Sequence, residues 1–132
     1  MPFTLRHGSF AICLALAIAA TAARADEVFE LRIYTANEGK LDALHERFRN
    51  HTMALFEKHG MRNVAYWIDT DTPNTLVYVV AHKDRASAAK SWRAFVADPA
   101  WQAAYAASIA NGQIVADIES RFMSATDYSP LR

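Results

Sequence analysis

The alternation of apolar and polar side chains predicts where the fold begins. In residues 28–35 (VFELRIYT), Phe29, Leu31 and Ile33 form one set and the polar residues between them form the other. A period of two is typical of a strand with one buried face. We therefore predict a strand over 28–35, with its apolar set facing the core.

The period changes to about 3.6 residues from Lys40 onward, which is typical of an amphipathic helix. Glycine is the usual residue just after a helix, so Gly60 predicts where this helix ends. The pattern indicates one helix from residue 40 to about residue 59. Its apolar stripe consists of Leu41, Leu44, Phe48, Thr52, Leu55 and Phe56.

The remaining pattern predicts two strands, two helices and a last strand. Asp84 and Asp98 are expected as helix N-caps, with Pro99 in the first turn of the second helix. The predicted elements are strands at 63–69 and 75–82, helices at 85–96 and from 99, and a strand at 114–123. The order βαββαβ predicts an α+β, ferredoxin-like split βαβ fold, an antiparallel sheet with helices on one face.

The sheet face away from the helices is expected to be unusual. If the apolar set of the first strand faces the helices, the opposite face carries aromatic and charged side chains. Such a face is too apolar for water alone, and pairing with the same face of a second copy would bury it. We therefore predict a homodimer through the sheet. The side chains expected there are Glu30, Arg32, Tyr34, Tyr66 or Trp67, Tyr78, His82, Glu119 and Arg121.

The N-terminal 25 residues have the pattern of a secretory signal peptide. Arg6 and His7 precede an apolar run at 10–20, and small residues at Ala23 and Ala25 form a cleavage site. The run is too short to span a bilayer. We predict a signal peptide at 1–25, a mature domain at 26–132, export to the periplasm or exterior, and no stable membrane insertion after cleavage.

Composition narrows the function classes. The 132-residue chain has 14 basic and 14 acidic residues, so it lacks the surplus positive charge of a generic nucleic-acid binder. Its one cysteine lies before residue 26, so the mature domain has no disulfide. An exported domain of this size must then be held by its core or by oligomerisation.

Several short motifs, in this order and spacing, resemble the NIPSNAP family. The resemblance runs from about Phe29 to Leu131 and implies a dimeric α+β barrel, but no particular reaction. It departs from the family at Ala65, where glycine is common, and near His82, where a tryptophan is common. The motifs are ELRIYT at 30–35, GKL at 39–41, YW at 66–67, DPAW at 98–101, ESR at 119–121 and YSPL at 128–131.

Candidate catalytic residues are two histidines. His45 lies beside the apolar stripe of the first helix, where it is either a half-buried structural residue or a general base. His82 closes the third strand and is the second candidate base. His45 and His51 are six residues apart and diverge around a helix, so we predict no metal site.

Candidate ligand-binding residues come from the strands. Arg32 and Arg121 are expected on adjacent strands of the same face, as either an ion-pair ladder or an anion clamp. Trp67 is expected to be a core or interface anchor, or else to line, with Tyr66 and Tyr34, a pocket that holds a planar ligand.

Three functions stay open at this point. No catalytic or cofactor motif is evident, which favours a protein that binds a small organic ligand or a partner. A cofactor-independent monooxygenase or isomerase is the second possibility, and a haem-binding protein is the third.

Overall fold

The computed structural model describes residues 26–132, and the predicted signal peptide lies outside them. The elements within this range match the predicted order. They are β1 Val28–Ala36, α1 Leu41–Arg47, a π-helical turn Phe48–Thr52, α2 Met53–Lys58, β2 Arg62–Ile68, β3 Thr75–His82, α3 Arg85–Ala97, α4 Pro99–Ser108 and β4 Val115–Ser124.

The four strands form one antiparallel sheet in the order β2-β3-β1-β4. β2 and β3 form a hairpin and pair directly. β1 pairs with β3 on one side and with β4 on the other. This is the ferredoxin-like α+β arrangement with helices against one face, so the predicted fold class is confirmed.

The predicted first helix is interrupted by a π-helical turn. α1 ends at Arg47, and the turn Phe48–Thr52 widens the backbone before α2 begins. The hydroxyl of Thr52 donates a hydrogen bond to the Arg47 carbonyl at 3.3 Å. π-Turns of this kind occur often at functional sites. Of the helices within residues 26–132, none is long and apolar enough to cross a membrane.

α2 ends where the sequence predicted. Gly60 has φ +78°, a left-handed conformation that L side chains rarely adopt. The Met61 N–H reaches the Phe56 carbonyl at 2.9 Å, and the Gly60 N–H reaches the Glu57 carbonyl at 3.1 Å. This pair of bonds is a Schellman motif, which satisfies carbonyls at the helix end.

The prediction for which set of β1 faces the helices is wrong. Tyr34 lies in the core cluster with Leu44 and Phe48 of the first helical region, so the polar set of β1 faces the helices. Phe29 belongs to a separate small cluster with Val79 on the opposite face. The alternation separates the two sets of side chains correctly. The polar set is buried because residues distant in sequence bind it, and the pattern within one strand does not show those residues.

The sheet face away from the helices is therefore mainly apolar rather than mixed. Strand register puts Leu31 opposite Val79 and Ile33 opposite Val77 on this face. Trp67 of β2 leaves 53% of its surface exposed. The charged groups here include Arg121 and Glu119 of β4, which lie opposite Leu31 and Ile33, and Arg62 at the start of β2, which lies opposite Ala81.

The start of α4 is fixed by Asp98, as predicted. Its carboxylate accepts a hydrogen bond from the Ala100 N–H at 2.8 Å, as an N-cap does. The same carboxylate contacts Lys58 at 2.6 Å and His59 at 2.7 Å. These contacts lower the pKa of Asp98 and tie α4 to the end of α2.

Candidate functional site

A buried carboxylate organises the polar residues beneath the helices. Glu30 is 1% exposed and accepts hydrogen bonds at 2.7 Å from Arg32, Ser120 and the indole N–H of Trp92. His82 Nε2 lies 2.8 Å from the second carboxylate oxygen. Burial alone would raise the pKa of Glu30, but hydrogen bonds from His82 and the other three donors lower it to about 2. We call these five residues the Glu30 cluster.

Arg32 connects the Glu30 cluster to a cleft. Its guanidinium lies 4.3 Å from the Trp92 ring centroid and 5.5 Å from that of Tyr34. Its Nη2 donates to the Tyr34 hydroxyl at 3.4 Å. This bond uses a lone pair of the hydroxyl and leaves the Tyr34 O–H proton free to donate elsewhere.

The cleft lies between the helices and the sheet and has a volume of about 380 Å³. We call it the principal cleft. Helices α1, α3 and α4, the π-turn and β4 all contribute to its wall. Its lining is dominated by six aromatic side chains, Tyr34, Phe48, Phe56, Phe95, Trp101 and Tyr105. Volume and lining both fall within the range of small-molecule sites.

Arg47 is the cation at this cleft. It is 5% exposed, and its Nη1 donates to the Ser108 hydroxyl at 3.2 Å. Its guanidinium also lies 5.3 Å from the Trp101 ring centroid and 5.5 Å from that of Tyr105. Its Nε is buried without a hydrogen-bond partner among residues 26–132. Burial lowers the pKa of Arg47, although it stays far above neutrality as arginine does.

Within residues 26–132, Arg47 lacks the ion pair that usually accompanies a buried charge. Burying an ion costs several kcal/mol even after relaxation. A hydrogen bond to a charged group returns about 1.5–3 kcal/mol, and a desolvated cation–π contact about 2 kcal/mol. No ion pair to Arg47 exists within the described part of the chain to make up the difference.

A second, smaller cleft of about 200 Å³ lies beside β2. It brings together three predicted site residues, His45, Tyr66 and Trp67. His45 Nε2 is buried and has no hydrogen-bond partner in the described range. The Tyr66 hydroxyl donates to Asn63, and burial raises the pKa of Tyr66.

The other predicted site residues are dispersed. His82 is 1% exposed, bonded to Glu30, and does not line either cleft. Arg32 and Arg121 were expected on one face, but Arg32 lies opposite Ser120 and Arg121 opposite Leu31. The expected pairing of the two arginines is therefore wrong, because neighbouring positions on a strand point to opposite faces.

Arg47 was not among the site residues predicted from the sequence. One signal was available, because Arg47 follows Leu44 by three residues and so falls beside the buried stripe of the helix. A charge in that position is uncommon unless it has a partner or a function. Nothing in the sequence pattern showed that Trp101 and Tyr105 would flank an arginine.

Comparison with known proteins identifies the family. A crystal structure of a NIPSNAP family protein of unknown function from Agrobacterium tumefaciens is 21% identical, with a TM-score of 0.71 over 82% of this chain and 96% of that one. An uncharacterised NIPSNAP-like protein from Burkholderia xenovorans is 19% identical, with a TM-score of 0.70 over 80% and 90%.

A more distant structure is SnoaB from Streptomyces nogalater, described as a cofactor-independent oxygenase. It is 21% identical, with a TM-score of 0.57 over 80% of this chain and 99% of that one. At these identities the structures establish a shared fold only, and no curated protein matches the chain. The NIPSNAP family model matches residues 29–130, so this chain belongs to the NIPSNAP family.

Proposed function

We propose that this protein binds a small, flat organic molecule in the principal cleft. The observation that carries the proposal is an aromatic-walled space of about 380 Å³ that also holds a buried arginine. Aromatic rings bind flat molecules by stacking and edge contacts, and a few polar groups then fix the orientation. Arg47 and the Tyr34 hydroxyl supply those polar groups.

The alternative explanation, that these rings are simply part of the core, does not account for the open space. Protein interiors are normally packed as densely as organic crystals, with few voids larger than a water molecule. Here Tyr34 and Phe48 meet edge to face at 6.0 Å, and Phe95 and Trp101 lie 4.4 Å apart, yet a cleft of about 380 Å³ remains beside them. A ligand in it would cover the exposed parts of Tyr105 and Ile118, which are 38% and 46% exposed.

The test is a binding titration with aromatic probes against a cleft-filling variant. Ile118 lines the cleft from β4 and is 46% exposed, so Ile118→Trp fills the space without replacing a buried residue. Val96→Trp, on an exposed position of α3 that does not line the cleft, is the matched control. We expect probe binding by the wild type and by Val96→Trp, and its loss in Ile118→Trp. Equal binding by all three proteins would overturn the proposal.

A second candidate function is cofactor-independent oxygenation. It is supported by the distant fold similarity to SnoaB and by the Tyr34 hydroxyl, which Arg32 orients at the cleft. His45, in the smaller cleft, is the candidate base in this case, and His82 acts only through Glu30.

Dioxygen consumption with an electron-rich naphthol, without added metal or cofactor, tests this second function. Tyr34→Phe removes only the hydroxyl and is expected to slow consumption by a larger factor than it weakens probe binding. A rate that matches heat-denatured protein would exclude oxygenation of this substrate class. A haem, the third possibility, finds no histidine among the described residues that line the principal cleft, whereas His45 lines the smaller cleft.

The mature protein is also proposed to be an exported homodimer that pairs its apolar sheet faces. A second copy suits this face, because Leu31, Val79 and Trp67 offer apolar surface while Arg121 and Glu119 offer opposite charges at its β4 side. Under twofold symmetry each arginine can meet the partner's glutamate. This arrangement leaves the principal cleft of each copy free, on the other side of its sheet.

A further inference from the structure

The surroundings of Arg47 indicate the charge of the ligand. The guanidinium is buried, yet its single side-chain hydrogen bond within the described range goes to the neutral hydroxyl of Ser108. Its Nε has no partner there, and no carboxylate of residues 26–132 lies within 4.0 Å of its nitrogens. A buried positive charge with this surrounding is incomplete without an anion.

The aromatic neighbours of Arg47 orient it for such an anion. Trp101 and Tyr105 lie 5.3 and 5.5 Å from the guanidinium carbon. Contacts with ring faces attract the cation without using its N–H groups, which lie in the guanidinium plane. The Nη N–H groups that Ser108 does not occupy therefore remain available, whereas Nε is buried, and a carboxylate can accept hydrogen bonds from the Nη groups with its two oxygens.

The lining also limits the charge of the ligand. Among the described residues that line the principal cleft, Arg47 is the one cation. The one acid, Asp117, lies opposite Thr35 of β1, so its side chain points to the other face of the sheet from that of Ile118. A phosphate or a dicarboxylate would carry more negative charge than a single arginine matches. The remaining wall is mostly aromatic and apolar, which suits a ring system rather than a sugar.

We propose that the ligand of the principal cleft is a flat aromatic acid with one carboxylate, which accepts hydrogen bonds from Arg47. This rests on the proposed function, because it assigns a chemical class to the molecule bound there. The ring packs against the aromatic wall, and the carboxylate meets the guanidinium at the junction of α1 and the π-turn. The π-turn contributes to both parts, since it directly follows Arg47 and supplies Phe48 and Thr52 to the lining.

The experiment compares matched acids and amides. Benzoate and benzamide, 2-naphthoate and 2-naphthamide, and 4-hydroxyphenylacetate and its amide are titrated by calorimetry into protein purified after expression of the full chain. Each pair keeps the ring and removes only the charge. The proteins are wild type, Arg47→Met, Arg47→Lys and Ile118→Trp. Arg47→Met keeps an unbranched, flexible side chain and removes the guanidinium, and Arg47→Lys keeps the charge but not the fork of N–H groups.

We expect the acids to bind wild type about tenfold more tightly than their amides, as a charge-assisted bond allows. The preference should disappear in Arg47→Met and shrink in Arg47→Lys, while the amides bind all three proteins alike. Ile118→Trp should lose both acids and amides. If Arg47 had only a structural role, replacing it would weaken the binding of acids and amides equally. The quantity to measure is therefore the ratio of the two affinities.

Three other results would overturn the proposal in different ways. Acids and amides that bind wild type equally would refute the aromatic acid but keep the cleft as a binding site. A preference that survives in Arg47→Met would assign the charge recognition to another residue. If no acid and no amide binds wild type, the proposed function fails as well. If Arg47→Met does not fold, the ratio of acid to amide affinity in the wild type and in Arg47→Lys still tests the proposal.

Discussion

Replacing Glu30 by glutamine should destabilise the fold strongly at neutral pH. The variant keeps the shape of the side chain but removes the negative charge that Arg32, His82, Trp92 and Ser120 surround. It also places an amide NH₂ beside either Arg32 or the Trp92 indole N–H, both of which can only donate. Breaking a buried ion pair by removing one partner costs about 3–5 kcal/mol, because the other charge is left uncompensated.

The lowered pKa of Glu30 gives a second value for the stability that its negative charge contributes. The carboxyl titrates near 4.5 in the unfolded chain and near 2 in the folded protein. At 1.36 kcal/mol per unit, this depression corresponds to roughly 3 kcal/mol of stability. Because the folded pKa is the lower one, the contribution is complete above the unfolded value and is lost as pH falls through the folded value. The window therefore runs from about pH 5 down to about pH 2.

Urea denaturation across that window tests the reasoning. The difference in free energy of unfolding between wild type and Glu30→Gln should be largest near neutrality and shrink steadily below about pH 5. Asp98 also has a lowered pKa, but it is present in both proteins and its effect cancels in the difference. Glu119→Gln, an exposed substitution on β4, is the control and should change little. A difference that stays constant from neutrality to acid would refute the assignment of the lowered pKa to Glu30.

Four further predictions concern other parts of the molecule. Arg47→Met should raise the free energy of unfolding by about 1 kcal/mol in ligand-free protein, measured by denaturation, because it removes a buried unpaired charge; a loss of stability would show that the arginine is structural. Gly60→Ala should cost about 1–2 kcal/mol, since its Cβ meets Ser91 only at 3.7 Å and the φ of +78° is the source of strain. Leu31→Glu should give a monomer by light scattering and keep probe binding, and a dimer would refute the sheet interface. N-terminal sequencing of exported protein should begin at Asp26, and an intact leader would refute cleavage there.

The arrangement of elements was predictable from the sequence for physical reasons. Strand and helix periods, the N-caps at Asp84 and Asp98, and the glycine at position 60 are local signals that act within a few residues. The π-turn was not predictable, because its hydrogen bonds differ from those of an α-helix while its apolar stripe is the same. Only the geometry separates the two.

The orientation of β1 was missed because burial of charge depends on residues distant in sequence. Glu30 is buried since His82, Trp92 and Ser120 supply donors from three other elements. A pattern of alternating residues treats glutamate and arginine as surface residues, and nothing within β1 indicates those partners. Arg47 was missed for the same reason. Its surroundings come from α4, so its lack of an ion-pair partner among the described residues is evident only when α1 and α4 lie side by side.

The most direct test of the central claim is native mass spectrometry of the protein purified from its own host. The account predicts a reproducible additional mass of one small molecule per chain, absent when Ile118→Trp is purified in the same way and retained in Val96→Trp. An additional mass of the same size in Ile118→Trp would place the ligand elsewhere. Wild-type protein that carries no additional mass, and takes up none of the aromatic probes, would contradict the claim that the principal cleft is a binding site.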